Sequence, residues 1–340
     1  MILLNALKQE GVESIPVKHP CDEVGELLRI ELGPSHDSTV RITAGKATYE
    51  SRRDDVHRRY DEAAYEDLPD ASHYMRALVA GGLVDVRNRA EIEEFLSRHA
   101  FPDLQAGHEP VFAGIDANLF PWRIPHALDI DPELPQYETE RPPINGYALA
   151  SGVKEELDWY YKQQHTRQVT DAFGPEFERL SEQPAGGNRA GYLGLYEYRR
   201  LRATRRTRIV ETGTGDEAII EGYKHWEADD SNRRVVLFSN DYGFVDQATE
   251  KGVRATHVEF PLDTPRTVSV PWEVIRDTLY VLTIAFGVLV LPKVTLYGTW
   301  NGKDGRHWKN EEIDVECRSP RIEPALQRGR SLVTSYEQLY

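Results

Sequence analysis

The stretch Val235-Val236-Leu237-Phe238-Ser239-Asn240-Asp241 sets the fold class of this chain. A short apolar run closed by polar turn residues predicts a strand buried on both faces. Beyond it, a helical stretch ends near Gly252, and Ala255 to Phe260 predicts another strand. Upstream, Val111 to Ile115 is an apolar run that ends at Asp116. Tyr147 to Ala150 is a second such run, and Ser151 starts the helix after it. Asp216 opens a further helix with Ile219, Ile220 and Tyr223 on one face. Strands alternating with helices predict an α/β fold, a parallel sheet flanked by helices over residues 109–263. Ligands of such sheets gather beyond the carboxyl ends of the strands, and that is where Asp116 and Asp241 fall.

On either side the pattern changes. Residues 1–108 predict an N-terminal α+β region, with strands at Leu27 to Glu31 and Val40 to Thr43 and helices over Asp61 to Ala80 and Arg89 to His99. An insertion at about 164–208 holds the loop signal Pro184-Ala185-Gly186-Gly187 and then an arginine-rich run. Residues 264–340 form a C-terminal extension, with an apolar stretch from Leu279 to Leu291 and a strand-like tail around Val294 to Trp300. That stretch is thirteen residues long and is cut off by Pro292, short of the roughly 20 needed to span a bilayer. It is expected as a buried helix or as a surface that closes a homodimer, and no membrane partner is expected. No charged, apolar and small-residue pattern opens the chain, so a cytoplasmic location is expected.

Cys21 and Cys317 stand near opposite ends, and the eleven histidines form no ligand-spaced pair; neither a zinc site nor a disulfide framework is indicated. The formal net charge is −15, and only ten of the 41 basic residues are lysine. Scarce lysine with abundant Asp and Glu resembles the composition of proteins from salt-loving archaea. In multimolar salt, fields are screened within about 3 Å, so acidity there serves solubility and does not by itself exclude a nucleic-acid partner.

Three features carry a candidate site. Ile115-Asp116-Ala117-Asn118 follows a strand; Ser151-Gly152-Val153-Lys154-Glu155-Glu156-Leu157 places Glu156 a turn into a helix; Asp216-Glu217-Ala218-Ile219-Ile220 precedes Ser239-Asn240-Asp241 by a helix and a strand. Taken singly, Asp216 is also a plausible helix cap and Asn240-Asp241 a plausible turn. In this order and context the chain resembles the PIN domain family of nucleases. Family members carry an Asp after the first strand with Asn two residues on, a Glu before Leu in a helix start, an Asp in a later helix, and a Thr/Ser-Asn-Asp at a strand end. The resemblance covers residues 109–263 and departs at Gly243, where many members have another acid.

The resemblance implies a metal-dependent ribonuclease acting on single-stranded or looped RNA. Mg²⁺ and Mn²⁺ prefer hard oxygen donors, and a carboxylate cluster would otherwise repel itself. Asp116 and Asp241 are then the principal metal ligands, with Glu156 and Asp216 as further ligands or water-orienting groups. Asn118, Ser239 and Asn240 would hold the carboxylates in place. Arg199, Arg200, Arg202, Arg205, Arg206 and Arg208, preceded by Tyr192, Tyr196 and Tyr198, are candidates for phosphate and base contacts. The same arginines also fit a solvated helix face paired with carboxylates. Alternatives to an active ribonuclease are a scaffold of the same fold that binds RNA or protein without cutting, and a toxin held by a small antitoxin.

Overall fold

The computed structural model describes residues 1–33, 37–157, 167–204, 206–230 and 233–337. Its strands run in chain order as β1 (Ser14–Lys18), β2 (Glu26–Leu32), β3 (Asp37–Ile42), β4 (Val111–Ile115), β5 (Gly146–Ala150), β6 (Thr207–Val210), β7 (Arg234–Ser239), β8 (Arg254–His257), β9 (Thr267–Pro271), β10 (Val288–Leu291), β11 (Val294–Tyr297) and β12 (Asp314–Cys317). They form two sheets. The chain divides into two compact units, one made of residues 85–162 and 190–261, the other of 1–84, 163–189 and 262–340.

The first unit is an α/β layer structure around a five-stranded sheet of order β6-β5-β4-β7-β8. Every pairing in it is parallel, with Ile115 opposite Phe238 and Ala150 opposite Val210. The central strands β4, β5 and β7 are buried along nearly their whole length, as a parallel sheet covered by helices requires. The edge strand β6 was not legible: Thr-Arg-Ile-Val is short, and its middle residues are exposed. Five strands therefore stand where apolar runs predict four. β8 ends at His257 rather than at Phe260.

Gly114 in β4 lets a helix seat on this sheet. A Cβ there would lie 2.4 Å from Leu237 Cδ2 and 2.9 Å from the Tyr223 ring. Tyr223, buried on the helix Asp216–Ala228, donates its hydroxyl to the Ala148 carbonyl at 2.9 Å and accepts from the Ala150 amide at 3.2 Å. The helix that begins with Asp216 is thereby tied to the end of β5. Chain order runs outward from β4 through β5 and β6 on one side and resumes with β7 and β8 on the other. Connections leave β4 and β7 in opposite directions, which opens a crevice beyond their carboxyl ends.

The second unit holds a seven-stranded antiparallel sheet of order β12-β11-β10-β1-β2-β3-β9. Lys18 of β1 faces Val290 of β10, and Val40 of β3 faces Val268 of β9. The two ends of the chain, which sequence periodicity separates at 108 and 263, thus share one sheet. Periodicity reports which face of a strand is buried but not its partner. Residues 85–108 lie in the α/β unit and 163–189 in the antiparallel one.

Two expected elements in this unit differ. The helix expected over Asp61 to Ala80 is two helices, Glu62–Asp67 and Ala71–Ala80. Pro69 disfavours helix at Leu68 and supplies no amide, and Asp70 caps the second helix through the His73 amide. The apolar stretch from Leu279 is the end of the helix Trp272–Phe286 followed by β10, parted at Gly287 with φ 78°. Its apolar side chains are buried, Val290 partly, so the homodimer surface expected there is taken up within the protein. Among the described residues no helix is long and apolar enough to cross a membrane. Nearby, Arg189 Nη2 donates to both carboxylate oxygens of Asp67, at 2.8 and 3.0 Å, in an ion pair whose two side chains are each 1% exposed.

Candidate functional site

All four expected acids lie at the carboxyl edge of the parallel sheet, each after a different strand. Asp116 follows β4 and Asp241 follows β7, flanking the crevice between these neighbours. Glu156 stands in the helix Ser151–Leu157 that continues from β5, and Asp216 is the first residue of the helix reached from β6. Asp116 and Glu156 are partly buried, whereas Asp216 and Asp241 are exposed. Glu155 is exposed on the same helix as Glu156.

Ser239 is the pin between the two central acids. It is fully buried, donates its hydroxyl to Asp116 Oδ2, and accepts from the Asp241 amide at 2.9 Å. The Ala117 amide donates to Asp116 Oδ1 at 2.7 Å. The side-chain carbonyl of Asn118 accepts from the Asn240 amide at 3.3 Å, and Asn240 Nδ2 donates to the Val258 carbonyl at 2.7 Å. The expected supporting residues Asn118, Ser239 and Asn240 therefore do link the ends of β4, β7 and β8. Asp241 caps the helix Tyr242–Glu250, accepting from the Gly243 amide at 2.7 Å and from Phe244 at 3.4 Å. Asp216 is not a cap, because Gly215 holds that position with φ 84°.

A second set of contacts brings Glu156 to Asp216. Ser151 Oγ donates to the Thr212 carbonyl at 3.2 Å and accepts from the Thr212 amide at 2.9 Å; Thr212 Oγ1 accepts from the Gly152 amide at 3.0 Å. Gly152 sits so close to the following loop that a Cβ would lie 2.1 Å from the Gly213 carbonyl oxygen. The loop then turns, and the Gly215 amide donates to Glu156 at 3.4 Å. Gly213-Thr214-Gly215, which lacks the pattern of a phosphate loop, serves here to carry Asp216 toward Glu156.

The acids feel one another. Loss of water around the Asp116 carboxyl raises its pKa to about 6, against partial relief from Ser239 and Ala117 and with added repulsion from Asp216 and Glu156. Burial, and then the charge of Asp216, raises Glu156. Burial, and then the charge of Asp241, raises Asp216. Among the described residues none of the four is in an ion pair, so nothing of opposite charge offsets this repulsion. An all-oxygen, anionic donor set fits a hard divalent cation in its chemistry. Among the described residues, however, no three His, Cys, Asp or Glu side chains converge on one ion-binding point. Of the acids near Gly243 in sequence or fold, Asp246 is exposed on the helix that Asp241 caps, and Glu217 pairs with Lys251 at 3.3 Å.

The arginine run is split by the fold. Arg199, Arg200 and Arg202 lie on the helix Asn188–Ala203, and Arg206 and Arg208 at the edge strand β6. Arg199, Arg202, Arg206 and Arg208 are exposed; Arg205 lies outside the described residues. Arg199 stands over the Tyr196 ring at 4.9 Å. Arg200 is turned inward to Glu197 and Asp131 at 2.9 and 3.1 Å, so it is a structural cation rather than part of the exposed basic surface. Tyr223, Thr212 and Gly152 position the site and were not read from the sequence as doing so; each contact joins residues dozens of positions apart, which local patterning does not register. The chain matches no protein-family model and no curated protein.

Proposed function

We propose that the α/β unit is a PIN-type nuclease that hydrolyses phosphodiester bonds of RNA with Mg²⁺ or Mn²⁺. One observation carries it: four carboxylates from four successive strand connections lie along the carboxyl edge of a parallel sheet at its switch point, burial and then neighbouring carboxylates raise the pKa of Asp116, Glu156 and Asp216, and none of the four has a cationic partner among the described residues. The exposed arginines on the helix and edge strand before Asp216, and the family resemblance of the motifs, support RNA as substrate.

Asp116 and Asp241 would hold the cation most directly, with Glu156 and Asp216 beside them. When bound, a divalent ion supplies a positive centre that offsets the carboxylates and polarises the phosphate under attack. Ser239 and the Ala117 amide each take up one lone pair of Asp116, fixing the carboxylate plane while leaving the remaining lone pairs for a cation or a water. Ser239 also sets the backbone of Asp241. Glu156, partly buried and held among the described residues by the Gly215 amide, would orient the attacking water. Water oxygen attacks phosphorus, a carboxylate takes the water's proton, and the P–O ester bond breaks with its electron pair leaving on the ester oxygen, which takes a proton from solvent to depart as an alcohol.

The test is cleavage of labelled structured and unstructured RNA in high KCl, with Mn²⁺, Mg²⁺ or EDTA, beside Asp116→Asn. Metal-dependent cutting that this substitution abolishes is the expected result. Folded protein that cuts neither RNA nor DNA at any salt or metal would be a binding scaffold instead. Two features favour that second reading: Gly243 in place of an acid, and the absence of three converging ligands among the described residues.

A further inference from the structure

Tyr242 follows Asp241 directly and is 70% exposed. Among the described residues, the only other exposed aromatic side chain is Phe101, at 40%. An isolated exposed aromatic is ordinarily unremarkable; this one is distinguished by where it stands and by how it is held. It is the first residue of the helix that Asp241 caps. Its ring meets the His257 ring edge-on, with centroids 5.8 Å apart and planes at 82°. His257 is itself fixed, its Nε2 lying 3.0 Å from the Asn240 carbonyl. The tyrosine ring is thus braced at one edge and open to solvent elsewhere, beside a carboxylate of the candidate site.

Binding a phosphodiester here faces two obstacles that stacking avoids. The site's own charges are negative, and the helix amides nearest to hand, Gly243 and Phe244, already donate to Asp241. In high salt the pull of distant arginines is screened as well. A base lying flat on an aromatic ring gains energy that depends little on charge, and only an unpaired base has a free face to offer. We infer that Tyr242, braced by His257, is the platform on which an unpaired nucleobase stacks, so that the adjoining phosphate comes to the carboxylates and single-stranded substrate is selected over duplex. This rests on the phosphodiesterase reading above.

The experiment follows cleavage of a labelled single-stranded RNA in Mn²⁺ by the full chain, by Tyr242→Ala and by Tyr242→Trp, with thermal unfolding as a check on folding. Loss of the ring is expected to raise KM on the order of tenfold, with a smaller effect on kcat; Trp should restore the parent KM. Cleavage by the parent with an unchanged KM in Tyr242→Ala overturns the platform and leaves the phosphodiesterase intact. An equal KM increase in Ala and Trp also overturns it, since a flat aromatic face would then not be what binds. A parent that cuts neither RNA nor DNA removes the phosphodiesterase reading and the platform with it.

Discussion

Replacing Asp116 by Asn should make the protein more stable at neutral pH, and the size of the gain can be worked out. The Asp116 carboxyl sits at about 6 in the folded protein against an ordinary 3.8. The unfolded chain therefore ionises first, so between those values the folded state binds more protons and stability falls as pH rises. Above about 6 the loss is complete, and at about 1.4 kcal/mol per tenfold change in proton affinity it reaches about 3 kcal/mol. Asparagine removes the charge but turns one acceptor, now used by Ser239 or Ala117, into a donor, which costs about 1 kcal/mol. Residual solvent contact trims the remainder, leaving a gain of about 1–2 kcal/mol, or a few degrees in Tm. Thermal unfolding in EDTA at pH 7.5 and pH 4 measures it. The gain should be present at pH 7.5 and nearly absent at pH 4, where the folded wild type holds its proton. A variant less stable than wild type at pH 7.5, or one equally stabilised at both pH values, would refute the electrostatic account.

Further outcomes follow from the same structure. Mn²⁺ in excess should raise the Tm of the wild type, by about 2.7 kcal/mol in stability at a hundred times its Kd, and should do so far less in Asp116→Asn; equal shifts would place the ion elsewhere. Gly152→Ala drives a Cβ into the Gly213 carbonyl and should cost about 1–3 kcal/mol while lowering cleavage, read by urea unfolding and by turnover. Arg189→Met leaves the buried Asp67 charge without its partner and should cost about 3–5 kcal/mol, whereas the double replacement of Arg189 by Met and Asp67 by Leu should recover most of it; chemical unfolding of the three variants decides.

How far the sequence discloses this depends on the range of the interactions involved. The parallel sheet was legible because β4, β5 and β7 are buried on both faces and so read as unbroken apolar runs. β6 escaped because an edge strand keeps one side in water, and its Arg208 and exposed Ile209 look like the arginine run around them. The partition into units was hidden because β1 pairs with β10, a relation between distant segments that leaves no local mark. Among the site residues, the acids could be named because strand ends and helix starts are local events. Whether a basic side chain beside them is exposed is not: Arg200 sits one residue from Arg199, yet the helix turns it toward Asp131 and Glu197.

The arrangement of the acids argues more about the site than their number does. In a chain with 56 Asp and Glu, four carboxylates near one another would mean little if they were paired or fully solvated. Arginines elsewhere in the α/β unit do take carboxylate partners, as Arg234 does with Glu109 and Arg254 with Glu227. The crevice beyond β4 and β7 is supplied differently: the Ser239 hydroxyl and the Ala117, Gly215 and Gly243 amides donate to the carboxylates of Asp116, Glu156 and Asp241. Neutral donors fix a carboxylate in direction without cancelling its charge, so burial, with added repulsion from Asp216 and Glu156, still raises the pKa of Asp116. A fold selected for stability alone would place an arginine there or remove an acid; retaining that electrostatic cost is what the proposed metal site would require.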